Sequence, residues 1–284
     1  MSGQASIIVA GAADERFSRE LQATWSSLPA SLAAIPGGVS LVAVDGRDRQ
    51  WVQAATDSLR AGAGGVLIAG PVSGPAADDV QTAADLAAER GIPVIVESAW
   101  ASHPALAPFA SAAAEQLGDV ALIDSVAVVT ADDPRGSADV LLDHLALLRA
   151  ASGPLHHVHF ATSGAAGYTV NGAQDTGAFI ALSSVRSATA EPAARLSIYG
   201  AVAQGGLSVP TDRGAAAPAR AWLVDVNGQS TQPSWYESAS RASWRRLLVA
   251  VHKHDTPSDL AGLAADIELA GSLAHRPPLA GDPS

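Results

Sequence analysis

The sequence predicts an α/β chain in two parts: a short parallel-sheet domain, then an α+β domain whose sheet is open and mostly antiparallel. Three observations carry this expectation. Strand-like runs alternate with amphipathic helices up to about residue 100, strand-like runs then follow one another directly, and two further helical segments close the chain. The 284 residues suffice for two ordinary cores.

The elements follow in order. "SIIVAG" (Ser6 to Gly11) reads as a buried strand. "DERFSRELQATWSSL" places Phe17, Leu21, Trp25 and Leu28 on one helical face, with Asp14 as N-cap. "VSLVAVDG" is a second strand, and "RDRQWVQAATDSLRAG" a helix stopped by Gly62. "GVLIAG", "ADDVQTAADLAAERG" and "IPVIVE" give strand, helix and strand. Helices of this length between strands imply crossovers and a parallel sheet covered on both faces. This first domain, residues 1–100, is expected to be a shortened Rossmann-like unit.

Residues 101–275 form the expected second domain. "DVALIDSVAVVTADD" is a strand and "GSADVLLDHLALLRAASG" a helix; "LHHVHFAT", "TGAFIALSSVRSA", "ARLSIYGAVAQGGLSV" and "RAWLVDVNG" then succeed one another as strands. "SRASWRRLLVAVHKH" and "PSDLAGLAADIELAGSLA" are helical, and the Pro-rich residues 276–284 are expected to fray.

Composition removes several function classes. A formal charge of −11, without a basic cluster interleaved with aromatics, argues against nucleic acid as a partner. No apolar run reaches the roughly 18 to 20 residues of a membrane span, and "MSGQASIIVAG" carries no basic leader, so a soluble cytoplasmic protein is expected. Zero cysteines exclude disulfides and thiolate chemistry. Of the 17 Lys and Arg residues, Lys253 is the one lysine.

"DSLRAGAGGVLIAGP" and "RLSIYGAVAQGGLSV" resemble segments of the glucose-fructose oxidoreductase, inositol dehydrogenase and MocA group (Gfo/Idh/MocA). "LGDVALIDSVAVV", "DVLLDHLALLRAASG" and the C-terminal helices fall where that group would have them, so the resemblance spans nearly the whole chain. It implies a two-domain fold and NAD(P)-dependent oxidation or reduction of sugars and cyclitols. It also implies a Glu-Lys-Pro motif, which falls here on Ala69, Gly70 and Pro71. Glycine has no side chain to exchange a proton, and arginine, which holds its proton at working pH, is a poor substitute for the missing lysine.

In the glycine-rich turn the chain keeps Gly11 but has Ala13 and Arg16 at the other two glycine positions. Gly11 and Pro71 are thus the vestiges of the cofactor site. Too few residues lie between Gly11 and "VSLVAV" for the ribose-reading strand; "VAVDG", with Asp45, aligns instead with the strand that follows it. No bound cofactor is therefore expected, with NAD(P) retained only if the chain is catalytic.

The paired Asp and His of the family's second domain fall on Asp139 and Asp143, with His144 one residue further and turned by about 100°. Asp139, Asp143, His144 and Glu97, at the end of the fourth strand, are the candidates for the cleft. "HHVH" (His156, His157, His159) could bind metal, but spacing fixes no third ligand and no metal is expected. "HKHD", His252 to Asp255, suits a helix C-terminus. Trp222, Trp235, Tyr236 and Trp244 read as an aromatic group at an interface or beneath the terminal helices.

The leading expectation is a family homologue without independent hydride transfer. It would act as a non-catalytic subunit or small-molecule binder, as a homo-oligomer or in a heteromer with an intact family member. The alternatives are an active NAD(P)-dependent oxidoreductase on a sugar-like or cyclitol substrate, with His144 or Asp143 moving the proton, and a cofactor-independent lyase or isomerase using the carboxylates.

Overall fold

The computed structural model describes residues 2–4, 6–11, 14–36, 39–211, 217–257 and 259–274, with backbone alone at 2–4, 33–36, 156–157, 160 and 274. The 276–284 tail lies outside the described residues. Two compact units are present: Met1–Ser102 with Ala239–Glu268, and His103–Ser238 with Leu269–Ser284. The first break falls within a few residues of the expected position. The second is a correction, since residues 239–268 belong with the first unit.

The first unit begins with β1 (Ser2–Gln4), β2 (Ser6–Ala10), α1 (Glu15–Ser26), α2 (Ala30–Ala33), β3 (Ala34–Pro36) and β4 (Ser40–Asp45). It continues through α3 (Trp51–Arg60), β5 (Gly65–Ala69), α4 (Ala77–Arg90) and β6 (Val94–Glu97). Strands β2, β4, β5 and β6 form a parallel sheet in that order, and β1 pairs with β3 antiparallel. The continuous apolar runs of β4 and β5 are buried throughout, as a sheet covered on both faces requires. Gly91, at φ 63°, ends α4 in the left-handed conformation that an L side chain resists.

Because β4 lies directly beside β2, no ribose-reading strand stands outside β2 among the described residues, and Asp45 belongs to an inner strand. The shortened sheet recruits α7 (Ala239–Lys253) to cover one face. Trp244, Leu247, Leu248 and Val251 of α7 join Phe17 and Leu21 of α1 over Leu41, Ala43, Leu67, Ala69 and Ile95. Trp25 meets Trp244 edge to face at 5.3 Å, a geometry worth about 0.5–1.5 kcal/mol beyond area burial. The apolar stripe of α7 is thus spent on the first unit, which is why the boundary drawn from sequence order failed. Helix α8 (Asp259–Ala274) follows, and its Asp259 accepts from Val96 N–H at 3.0 Å and pairs with Arg246.

The second unit contains α5 (Leu106–Gln116), β7 (Val120–Thr130), α6 (Ser137–Ser152), β8 (His156–Gly164), β9 (Gly167–Ala173), β10 (Phe179–Ser187), β11 (Ala193–Gly200), β12 (Gln204–Pro210), β13 (Arg220–Asp225) and β14 (Gly228–Thr231). Eight strands form one sheet in the order β14-β13-β12-β11-β7-β10-β9-β8. Its pairs are antiparallel except β7 with β10, the crossover made by the segment containing α6. Ile123, Ile180, Leu182, Leu196 and Leu207 line the buried face, and α6 buries Leu141, Leu145 and Leu148. A Cβ on Gly205 would come within 3.2 Å of Phe109, so the bare glycine lets α5 approach the sheet.

Candidate functional site

In the first unit the parallel strands end together, the edge at which open α/β sheets bind ligands. Gly11 turns the chain after β2 at φ 86°, and Gly70 after β5 at φ 60°. Gly46, after β4, lies so near the Gly70–Pro71 turn that a Cβ would stand 2.6 Å from Pro71 N and Cα. Three backbone bonds join these ends: Gly46 N–H to Ala69 O, Gly70 N–H to Glu97 O and Val72 N–H to Gly46 O, at 2.9–3.0 Å. Pro71 therefore fixes a turn, as its expected place requires.

Asp45, Ala69 and Glu97 occupy one register row across β4, β5 and β6. By alternation from Ala43 and Ile95 they lie on the α1 and α7 side. Asp45 is buried and held by Arg47, whose Nε and second terminal nitrogen donate to its two oxygens at 2.8 and 3.0 Å. This hydrogen bonding holds the Arg47 guanidinium above its ordinary pKa. The same group lies 5.5 Å from the Phe17 ring centre, 3.6 Å from Asp14 and 3.8 Å from Glu20. Glu97 is buried at the end of β6.

Asp14 caps α1 and accepts from Phe17 N–H at 2.6 Å, a bond that lowers the carboxyl pKa. Arg16 points outward and pairs with Glu20 at 2.8 Å, so its bulk does not enter the packing that Phe17 and Leu21 make. Ala13 lies outside the described residues.

A pocket of about 610 Å³ opens beside Gly11, between β2 and α3. Ile8, Ala10, Val42 and Ala54 give it apolar walls, and Asp48, Gln50, Gln53 and Asp57 supply acceptors and amide donors. Its size lies within the range of small-molecule sites. The donor set suits hydroxyl groups and a flat base, so these residues fit the adenosine half of a dinucleotide, with Arg47 as a cation at the neighbouring strand end.

In the second unit, Asp139, Asp143 and His144 share α6. Asp139 accepts from Gly136 N–H at 3.0 Å and caps the helix. Asp143 binds Arg135 at 2.8 Å, and Arg135 also binds Asp133. Arg186 donates to the carbonyls of Asp133 and Arg135. Burial pushes the Asp133 carboxyl up, but its bonds and charge contact with Arg135 outweigh this and leave its pKa lowered.

His144 is fully buried, with Nε2 2.7 Å from Ser125 Oγ and Nδ1 3.0 Å from the Tyr168 hydroxyl. Ser125 donates to Arg195 O at 3.0 Å. Its one proton thus spent, Ser125 must accept from Nε2–H, and Nδ1 accepts from Tyr168. Burial lowers the His144 pKa to about 3 and raises that of Tyr168. The imidazole is neutral, with both nitrogens engaged inside the core. His103 is similar, burial lowering its pKa to about 4, and its Nδ1 accepts from Ala105 N–H. Sequence reasoning overlooked His103 and Arg47; the adjacency of Arg47 to a strand-end aspartate was the available signal for the latter.

The other expectations divide. His252 Nδ1 donates to Leu248 O at 2.7 Å at the end of α7, in keeping with the helix-terminus reading. The side chains of His156 and His157 lie outside the described residues; among the described residues no three His, Asp or Glu side chains gather as metal ligands. The aromatic residues do not form one group: Trp244 is in the core of the first unit, while Trp222 is on the open face of the second unit's sheet and Tyr236 is exposed. No described helix is long and apolar enough to cross a membrane.

No family model and no curated protein matches the chain. Solved structures do. The 3-ketoreductase KijD10 from Actinomadura kijaniata, in complex with NADP and TDP-benzene, aligns with TM-score 0.67 and 14% identity over 95% of this chain and 89% of its own. UDP-N-acetylglucosamine 3-dehydrogenase GnnA from Acidithiobacillus ferrooxidans aligns with TM-score 0.75 and 14% identity, over 96% and 97%. The NADP complex corrects the expectation that no cofactor is bound: KijD10, which shares this fold, holds NADP. The chain has the two-domain fold of the Gfo/Idh/MocA sugar oxidoreductases, as the resemblance implied.

Proposed function

We propose that the chain is an NAD(P)-dependent oxidoreductase acting on a sugar-like substrate. The observation that carries this reading is a fold shared, over nearly the full length of both chains, with a ketoreductase bound to NADP. Gly11, Arg47 and the pocket along α3 would hold the dinucleotide, which supplies or accepts the hydride. The chain must then move one proton to or from the substrate oxygen, and Gly70 cannot do so. We assign this to Glu97, because it ends β6 beside Gly70, in the register row of Ala69. His144 is sealed in the core and is not placed for the task.

Loss of reduced-nicotinamide absorbance in the presence of keto-sugars and keto-sugar nucleotides tests the reading. Turnover with either dinucleotide supports it; none with either, in the folded protein, counts against it. Gly70 favours a second reading, a subunit that binds without transferring hydride, and binding without turnover would select it. Self-association, under either reading, would use one end of the second sheet's open face, across β10, β7 and β11. There Phe179, Leu122 and Tyr199 share a row, and Phe179 is 70% exposed.

A further inference from the structure

The open face of the second unit's sheet carries a feature that hydride transfer in the first unit does not use. Arg195 of β11, Ser208 of β12 and Arg220 of β13 occupy one register row and point to the same face. Two strand spacings put the arginine Cα atoms about 10 Å apart. Both side chains are exposed, and neither guanidinium has a hydrogen-bond or ion-pair partner among the described residues. Acidic groups outnumber basic ones by 28 to 17 in this chain, so two uncompensated guanidinium groups side by side are unusual. Their mutual repulsion is relieved by an anion set between them.

The next row adds an aromatic surface. Trp222 of β13 lies across Gly206 of β12, where a Cβ would stand 2.4 Å from two indole carbons, so the bare glycine lets the ring rest against the sheet. Ser197 of β11 continues that row. Glu191, Arg195, Ser197, Ser208, Arg220 and Trp222 line a pocket of about 520 Å³. Arginine binds phosphate through two parallel N–H donors, and an indole face stacks on a flat ring.

The structure assigns this pocket as a second binding site, for a nucleoside phosphate, with the base on Trp222 and the phosphates between Arg195 and Arg220. Glu191 precedes Arg195 on the arginine side of the pocket and limits the negative charge that side accepts. The site belongs to the second unit alone and does not depend on the proposed redox chemistry.

Calorimetric titration of the full chain with ADP, with adenosine as the uncharged control, tests the assignment. ADP is expected to bind at least tenfold tighter than adenosine, and Arg195→Gln and Arg220→Gln each to weaken ADP by about tenfold or more. Trp222→Leu should weaken both ligands at this site, while the nucleotide-binding event of the first unit, the one that Arg47→Gln weakens, should be unchanged in all three variants. Equal ADP affinity in wild type and both arginine variants would overturn the site, as would equal affinity for ADP and adenosine or no saturable binding. A wild-type oligomer that the arginine variants convert to monomer, with no ADP effect, would assign the row to a carboxylate of a second copy and overturn it as well.

Discussion

The helix-covered core of the second unit and the carboxyl edge of the first unit's sheet both concentrate polar side chains, yet they use them oppositely. In the core, Ser125, His144 and Tyr168 satisfy one another in a directed chain, and Asp143 is bound to Arg135. At the edge, three strands end in glycines, Asp45 anchors Arg47, and a pocket opens beside Gly11. Residue type alone would rank His144 first as a catalyst. Burial and bonding inside the core make it a structural group, whereas Glu97, though also buried, stands beside Gly70 at the carboxyl edge.

The largest effect should separate the two regions outright. Glu97→Gln should lower kcat by about 10²–10⁴-fold with little change in KM, the usual worth of a positioned acid or base. A parallel fall in thermal stability and turnover would instead place Glu97 among the structural groups. His144→Ala should act in the opposite sense, costing about 2–4 kcal/mol by removing the donor to Ser125 and the acceptor of Tyr168 from the core. Urea unfolding measures this; a loss below about 0.5 kcal/mol, the range of ordinary surface substitutions, would show the chain of hydroxyls to be dispensable.

A graded effect, spread over several pH units, follows from acidification. His144 and His103 have folded pKa values of about 3 and about 4, below the ordinary value of 6.5. Below pH 6.5 the unfolded chain takes up protons that the native one does not, so stability must fall as pH falls. The loss should begin near pH 6.5, at about 1.4 kcal/mol per pH unit for each histidine, and end for each as its folded pKa is passed. Stability at pH 7 and above contains the whole contribution. His103→Gln and His144→Gln should each flatten the profile between pH 6.5 and 4, and an unchanged slope would mean that these rings are protonated in the native protein.

Much of the fold was legible because period and punctuation agreed. Asp14 before the Phe17 and Leu21 stripe, and Gly91 after α4, mark helix ends that the structure places as read. The missing ribose strand was legible from chain length and appears as β4 directly beside β2. Helix α5 was not legible, because "LAPFASAAAEQ" is small and apolar on most sides and carries a proline in its first turn. Nor was the allegiance of α7 to the first unit, since an amphipathic stripe at Trp244, Leu247 and Leu248 declares that a face is buried but not against which sheet.

The site was less legible than the fold. Gly70 and Pro71 were located correctly, because a buried run ending in Gly-Pro fixes a turn. For Asp143 and His144, helical spacing gives direction but not what lies opposite, and here that is Arg135, Ser125 and Tyr168. The Arg195 and Arg220 row depends on strand register between segments 25 residues apart, which no local pattern encodes.

The central claim is that the edge at Gly11, Arg47 and the α3 pocket holds a nicotinamide dinucleotide. Titration of the purified protein with NADH and NADPH, followed calorimetrically, tests it most directly. Saturable binding of at least one of them at micromolar concentration, weakened by Arg47→Gln, is the predicted result. Absence of binding by both at millimolar concentration, with the protein folded, would contradict it.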